Sequence, residues 1–242
     1  FKVVNSTAPN PSQCCPGSWG AGNDDVQWGL FAWVHTYEAL GSRPQDFVLI
    51  EAAARYLDWV IANEAVWRTE TNGTANQCGR GYHNEPKYDC NGNADPQDFK
   101  NSVTNTQFLT SAMLLHPFAQ RLGRPQGYYL RKALSEWQWL EGSGLRNSTT
   151  GLYAGGLNMH TCRPSTDPNG GAWVATYNQG ILLPGLAKLA RATKNQTLLM
   201  QACDTVAAVV ENMTTPDGVL HETPTCDVFW GGPCDRWAVF KG

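Results

Sequence analysis

The strongest constraint on this chain is a rhythm of apolar-striped segments that come in pairs. Val26, Leu30, Trp33 and Tyr37 recur at steps of four, three and four, which predicts a helix over 24–40 with these residues on one face. Gly41 follows and suits its end. A second helix is expected over 44–63, striped by Phe47, Ile50, Ala54, Leu57 and Ile61, with Arg55 and Asp58 beside the stripe. The pattern returns over 105–122 (Phe108, Ala112, Leu115, Ala119, Leu122), where Pro117 lacks a donor and should bend the segment. It continues over 126–141 (Tyr129, Ala133, Trp137), 177–192 and 196–213 (Leu199, Ala202, Val206, Val209, Met213).

Short turns join the members of each pair. Long stretches rich in Gly and Pro, 64–97 and 142–171, join one pair to the next. Loops this long in a compact domain usually border a site; a short hairpin is weakly indicated near 79–83. Paired helices with unequal loops fit a closed barrel of alternating inner and outer helices, or a helical solenoid. The Rossmann and doubly wound folds are disfavoured, because neither long parallel-sheet strands nor a spaced glycine fingerprint occurs. The expected fold is all-α, and the chain reads as one domain over 1–242. After the last helix it ends on Phe240-Lys241-Gly242. A half-open ring would expose apolar helix surface, so further helices are expected from a longer domain or from a second chain.

Composition narrows the function. The chain has 242 residues, 42% of them hydrophobic, and a net charge of −3. That is enough apolar material for a real core, and it leaves no basic footprint for nucleic acid. No apolar run approaches the ~20 residues of a membrane span. Sequons at Asn5, Asn72, Asn147, Asn195 and Asn212 fall in proposed loops or at helix ends. Together with eight cysteines they point to a secreted, disulfide-bonded glycoprotein, in the cell wall or on the extracellular face; a segment outside this sequence could carry a membrane anchor. Cys78–Cys90 and Cys226–Cys234 would close short loops, Cys14 and Cys15 would reach separate partners, and Cys162 and Cys203 are left over. Eight cysteines allow 105 pairings, so none is fixed by spacing. Zinc is the competing use, but no tight C-x₂-C pair with a matching second half is present.

The sharpest chemical feature is Asn23-Asp24-Asp25-Val26-Gln27-Trp28. Adjacent aspartates at a helix start can be ordinary first-turn acids, favoured by free N–H groups and the helix dipole. They can equally face a groove at the ~5–5.5 Å separation of retaining glycosidases, one attacking an anomeric carbon and the other donating a proton to the leaving oxygen. Ten tryptophans and eight tyrosines supply aromatic surface, and Trp28, Trp67, Trp173 and Tyr177 lie beside polar loop residues. Sugar rings stack on such faces, although most tryptophans are simply core. His83 and His160 border the same loops, but scattered histidines define no metal site. Ser143 lacks the G-x-S-x-G setting of a serine nucleophile. The proton transfers need only carboxylates and water, so no cofactor is expected.

These residues carry a resemblance to glycoside hydrolase family 76, particularly the fungal cell-wall proteins similar to endo-α-1,6-mannanases. N23-D24-D25-V-Q-W28 looks like the family's double-aspartate segment. C78-G79-R80-G81 is similar to its Cys-Gly-Gly-Gly turn, with arginine at the third position. F99-K100-N101-S102-V103-T104-N105, T176-Y177-N178-Q179-G180, and L220-H221-E222 with Cys226, Cys234, Asp235 and F240-K241-G242 follow in the family's order.

The resemblance implies an (α/α)6 barrel-like helical toroid, incomplete in this chain because family members begin before the double aspartate and continue beyond Phe-Lys-Gly. It implies retaining, endo-acting hydrolysis of α-1,6-linked mannan, with Asp24 the nucleophile and Asp25 the acid/base. Trp28, Lys100, Asn101, Trp173, Tyr177 and Asn178 would bind or brace the glycan, and Lys100 or Lys241 would order acidic groups or sugar hydroxyls. Two alternatives stay open: a wall transglycosidase acting on mannose-containing glycolipid anchors through the same covalent intermediate, and a non-catalytic mannan-binding protein.

Overall fold

The computed structural model describes residues 22–70, 78–87, 99–166 and 173–222. In chain order the elements are α1 (Asn23–Ala39), α2 (Val48–Glu70), β1 (Lys100–Asn101), α3 (Ser102–Leu115), α4 (Tyr128–Gly142), β2 (Gly156–Asn158), β3 (Arg163–Pro164), α5 (Thr176–Gly180), α6 (Leu182–Thr193) and α7 (Gln196–Asn212). Single 3-10 turns cover Pro44–Phe47 and His116–Phe118.

The helices stack in pairs, as the spacing predicts. α1 packs on α2, α3 on α4 and α6 on α7, while α3 touches both α1 and α6. The result is an inner layer of α1, α3 and α6, each backed by an outer helix, in the manner of an α/α toroid. The inner helices begin at Asn23, Ser102 and, through α5, Thr176. Each of these starts lies within a sequence segment singled out for its chemistry.

α3 occupies the middle. All 14 of its residues are buried, including Ser102, Thr104, Asn105, Thr106, Gln107, Thr110 and Ser111. A helix enclosed on every side has no solvent face, so these polar groups find partners inside. Thr106 Oγ1 donates to the Ser102 carbonyl at 2.8 Å and Thr110 Oγ1 to the Ile181 carbonyl at 2.8 Å. Pro117 acts as expected: the α-helix stops at Leu115 and a 3-10 turn follows. Pro184 has no N–H to offer the Gly180 carbonyl. The expected 177–192 helix accordingly divides at Ile181 into α5 and α6, although Ile181 itself keeps helical angles.

The sequence stripes hold for most helices. Val26, Leu30 and Tyr37 are buried, with Val34 in place of the half-buried Trp33. Phe47, Ile50, Ala54, Leu57, Phe108, Ala112, Leu115, Tyr129, Ala133 and Trp137 are all core. Asp58 pairs with Arg124.

α7 is a correction. Its buried face is Leu198, Ala202, Thr205 and Ala208, while Leu199 and Val206 are exposed with Met200 and Val210. The helix is apolar on several faces, so periodicity alone cannot choose one; packing on α6 does.

Two loop expectations are also revised. Residues 79–83 form no strand. The pairing lies instead between β1, β2 and β3, a small antiparallel sheet with Lys100 opposite Leu157 and Leu157 opposite Pro164. Cys78 bonds Cys162, 84 residues away, rather than Cys90, and Cys203 is an exposed free thiol. The distant pairing arises because α4 and the 143–166 loop bring Cys162 against the turn at Cys78, a proximity that short-loop counting misses. Cys14, Cys15, Cys90, Cys226 and Cys234 lie outside the described residues, as do Asn5, Asn72, Asp235, Phe240 and Lys241. Asn147, Asn195 and Asn212 are exposed, in a loop and at the two ends of α7. Among the described residues, no helix is long and apolar enough to cross a membrane.

Candidate active site

The site is built from the start of α1. Gly22 is the N-cap residue and supplies no side chain, so Asp24 and Asp25 sit in an uncapped first turn where the helix dipole favours anions. The loop 82–85 fixes this turn. Asn23 N–H donates to the Asn84 carbonyl at 2.6 Å, and Asn23 Nδ2 donates to the His83 carbonyl at 2.8 Å. Asn63 Nδ2 donates to Asn23 Oδ1 at 3.2 Å.

That loop is itself held by buried polar side chains. Glu64 Oε2 accepts from the His83 N–H at 3.0 Å and contacts His83 Nδ1 at 2.8 Å. Asn105 Oδ1 accepts from the Tyr82 N–H at 2.6 Å while its Nδ2 donates to the Tyr82 carbonyl at 2.9 Å. Trp67 stacks on His83 with ring centroids 4.4 Å apart and donates to the Glu85 carbonyl at 2.9 Å. Trp67 therefore supports the floor and does not face a groove. His83 is likewise a fully buried group, held through Nδ1 by Glu64.

Asp24 is half-buried and Asp25 exposed. Burial, and then the charge of Asp25, push the Asp24 carboxyl up to about 6, against a smaller pull from the backbone N–H groups of Asp24 and Asp25. Trp28 follows one turn later and is 37% exposed, presenting an indole beside the acids. With its amide oriented to satisfy both neighbours, Gln107 accepts from Trp28 Nε1 at 3.1 Å and donates to the Asp24 carbonyl at 3.2 Å. Tyr177 approaches from α5. Burial, with Asp24 and Glu222 adding, raises its phenol so that it stays protonated. Glu222 accepts from the Thr176 N–H at 3.0 Å and from its hydroxyl.

The remaining sequence candidates divide. Asn101 caps α3, its Oδ1 accepting from the Thr104 N–H at 3.0 Å, and its Nδ2 donates to Asn84 Oδ1. It is thus joined to the acid pair through Asn84. Lys100 is fully buried and donates to the Gly79 carbonyl at 2.7 Å. Neighbouring strand residues point to opposite faces, which accounts for the different surroundings of Lys100 and Asn101. Trp173 is buried, its ring lying where a Cβ on Gly155 would stand only 1.9 Å from it. Asn178 is fully buried with both amide atoms lacking a hydrogen-bond partner among the described residues.

Glu85 escaped notice in the sequence. A Cβ added to Gly22 would stand 2.6 Å from Asp24 Oδ1 and 2.9 Å from Glu85 Oε1, so the two acids meet across this glycine. Gln107 escaped too, because its helix has no polar face to draw attention. Among the described residues, no group of three or more His, Cys, Asp or Glu side chains is placed to hold a metal ion.

Paired helices in two layers, with acids at the start of an inner helix, give the architecture of an α/α-toroid. The model of glycosyl hydrolase family 76 matches residues 2–235, and the chain belongs to that family. No curated protein matches it by sequence. Among solved structures it is similar to the family 76 α-mannanase BT2949 of Bacteroides thetaiotaomicron (TM-score 0.63, 19% identity, 91% of this chain and 53% of that one). It is also similar to Dfg5 of Chaetomium thermophilum in complex with glucosamine (0.55, 18%, 84% and 45%). A third is an inactive variant of the α-1,6-mannanase GH76A of Salegentibacter sp. HEL1_6, bound to α-1,6-mannotetrose (0.56, 21%, 83% and 50%). The chain spans about half the length of these structures.

Proposed function

We propose that the chain belongs to a secreted or wall-associated glycosidase that cleaves α-1,6-linked mannan with retention, through a covalent glycosyl-enzyme. The observation that carries this is the Asp24–Asp25 pair, one acid half-buried and one exposed, pinned at the start of α1 beside an exposed Trp28. Two adjacent aspartates are also the residues replaced in the inactive mannotetrose-bound relative, which supports the assignment.

Ionised Asp24 attacks the anomeric carbon while Asp25 gives its proton to the departing glycosidic oxygen. Asp25 then takes a proton from water, whose oxygen attacks the same carbon and frees Asp24. Trp28 offers a stacking face for a mannose ring, and the Tyr177 hydroxyl donates toward the reacting sugar or Asp24. Asn101 positions the acids through Asn84. Lys100, Trp173 and Asn178 brace the wall from within.

The test uses the full-length protein with α-1,6-mannan oligosaccharides. Turnover lost in both Asp24→Asn and Asp25→Asn, with folding intact and the anomeric configuration retained in the product, supports the proposal. Turnover that survives both substitutions overturns the residue assignment. Products joined to an added mannosyl acceptor in place of free ends identify the transglycosidase instead. Binding without any product identifies a mannan-binding protein.

A further inference from the structure

A pocket of about 270 Å³ opens between the outer helices α2 and α4 and is bordered by the Cys78–Tyr82 turn. Its lining is cationic: Arg68 from α2, Arg80 from the turn, and Arg131 and Lys132 from α4. The Arg68 guanidinium is answered by Glu64 at 3.0 Å. Arg80, Arg131 and Lys132 form no ion pair among the described residues, so positive charge is left over.

Deeper in, Glu136 lines the same pocket although it is 3% exposed, and its Oε1 has no hydrogen-bond partner among the described residues. Burial, and then Glu64, push this carboxyl well above its usual range, against Arg68 and Lys100. The shift favours its uncharged form. The Tyr128 ring flanks the pocket, with Lys132 Nζ 5.0 Å from its centroid. Arg80 sits at the third position of the Cys78-Gly79-Arg80-Gly81 turn. Gly79 and Gly81 on either side of it lie against the Trp139 ring, where a Cβ would come within 3.0 and 2.3 Å.

We propose that this pocket binds the phosphate group of a phosphate monoester, such as a phosphorylated sugar, at a site separate from the acid pair. Guanidinium forks and an ammonium match the oxygens of a tetrahedral dianion better than they match a neutral sugar. The Glu136 carboxyl, whose Oε1 is unpartnered among the described residues, would in its protonated form offer an O–H to a phosphate oxygen. The volume lies just below the ~300 Å³ lower end of small-molecule sites, room for one such group and a single ring. This inference does not rest on the proposed glycosidase activity.

The test is calorimetry on the purified protein at constant ionic strength, with inorganic phosphate, mannose 6-phosphate and mannose as probes. Saturable binding is expected for both phosphate compounds. It should weaken about tenfold or more when the two outer cations are removed in Arg131→Ala/Lys132→Ala, the loss expected for charge-assisted contacts. Arg131→Gln, at an exposed position, gives the same readout should the double variant be unstable. Glu136→Gln keeps a neutral donor and should bind within about threefold of the parent, on the scale of one neutral contact. Tighter binding of mannose 6-phosphate than of phosphate assigns a monoester; equal binding assigns the free anion, and either supports phosphate recognition. Absence of saturable binding, binding undiminished in the Arg131 variants, or binding of mannose equal to that of its phosphate overturns the proposal.

Discussion

Asn105 holds Tyr82 by both of its backbone groups, accepting from the N–H at 2.6 Å and donating to the carbonyl at 2.9 Å. One side chain on the central helix thereby imitates a neighbouring strand, and the loop it steadies carries the hydrogen bonds that fix Asn23. Replacing it by alanine strands two buried backbone groups, at about 1–3 kcal/mol each. Asn105→Ala should lose roughly 2–5 kcal/mol in denaturant unfolding, and turnover by the folded fraction should fall as well.

Gly22→Ala tests the geometry more locally. The new methyl would stand 2.6 Å from Asp24 Oδ1 and 2.9 Å from Glu85 Oε1, so the carboxylate must shift. A displacement near 1 Å at the reacting group is worth about 10²-fold in rate. kcat should fall by about that factor with little change in melting temperature.

The pH profile follows from Asp24. Its carboxyl is raised to about 6 by burial and by Asp25, and a nucleophile must be ionised. Activity should therefore decline as pH falls below about 6. The apparent value belongs to the coupled pair, so Asp25→Asn should move this limb downward in any residual activity, most clearly with an activated leaving group.

Asp24 has a stability consequence of the opposite sign. An unfolded aspartate ionises near 3.8, whereas the folded one keeps its proton up to about 6. Between those values the native state binds more protons, so stability falls as pH rises through the window, and the full penalty is present above it. Asp24→Asn should be more stable than the parent at pH 7 by about 1–2 kcal/mol, allowing for partial hydration. The gain should vanish near pH 4 in urea unfolding.

The Cys78–Cys162 bond closes a loop of 84 residues. Constraining so long an unfolded segment is worth about 2–4 kcal/mol. Cys78→Ala/Cys162→Ala should melt roughly 5–15 °C lower in scanning calorimetry. A reductant should lower the melting temperature of the parent by at least as much, and shift the double variant by less than it shifts the parent.

Much of this arrangement was legible in the residues. The stripes at Leu30, Leu57 and Tyr129 place helices correctly because each of these helices has one face against a layer, and periodicity reports that. Pairing of layers followed from loop length. Periodicity failed on α7, where Leu198 and Leu199 are equally apolar and only contact with α6 decides between them. On α3 the stripe of Phe108, Ala112 and Leu115 located the helix but named only part of what is buried, because every side meets a neighbour. Asp24, Asp25 and Trp28 share the first turns of α1, so their proximity was legible in the sequence. Glu85 and Gln107 were not, since they meet Asp24 only through folding, and Cys162 reaches Cys78 the same way. Lys100 shows the converse: next to Asn101 in sequence, it bonds Gly79 instead, and no count of residues reveals which way a strand turns its side chains.

The enclosure of α3 shapes how this protein can vary. Outer helices should accept substitutions with a regular period, tolerant on one side and strict on the other. α3 should show no such period in a saturation mutagenesis screen, because every direction meets a neighbour. Seven of its positions also demand a hydrogen-bonding group of the right length, so even hydrophobic replacements are refused. This one segment is therefore where sequence drift should be slowest, irrespective of which residues do the chemistry.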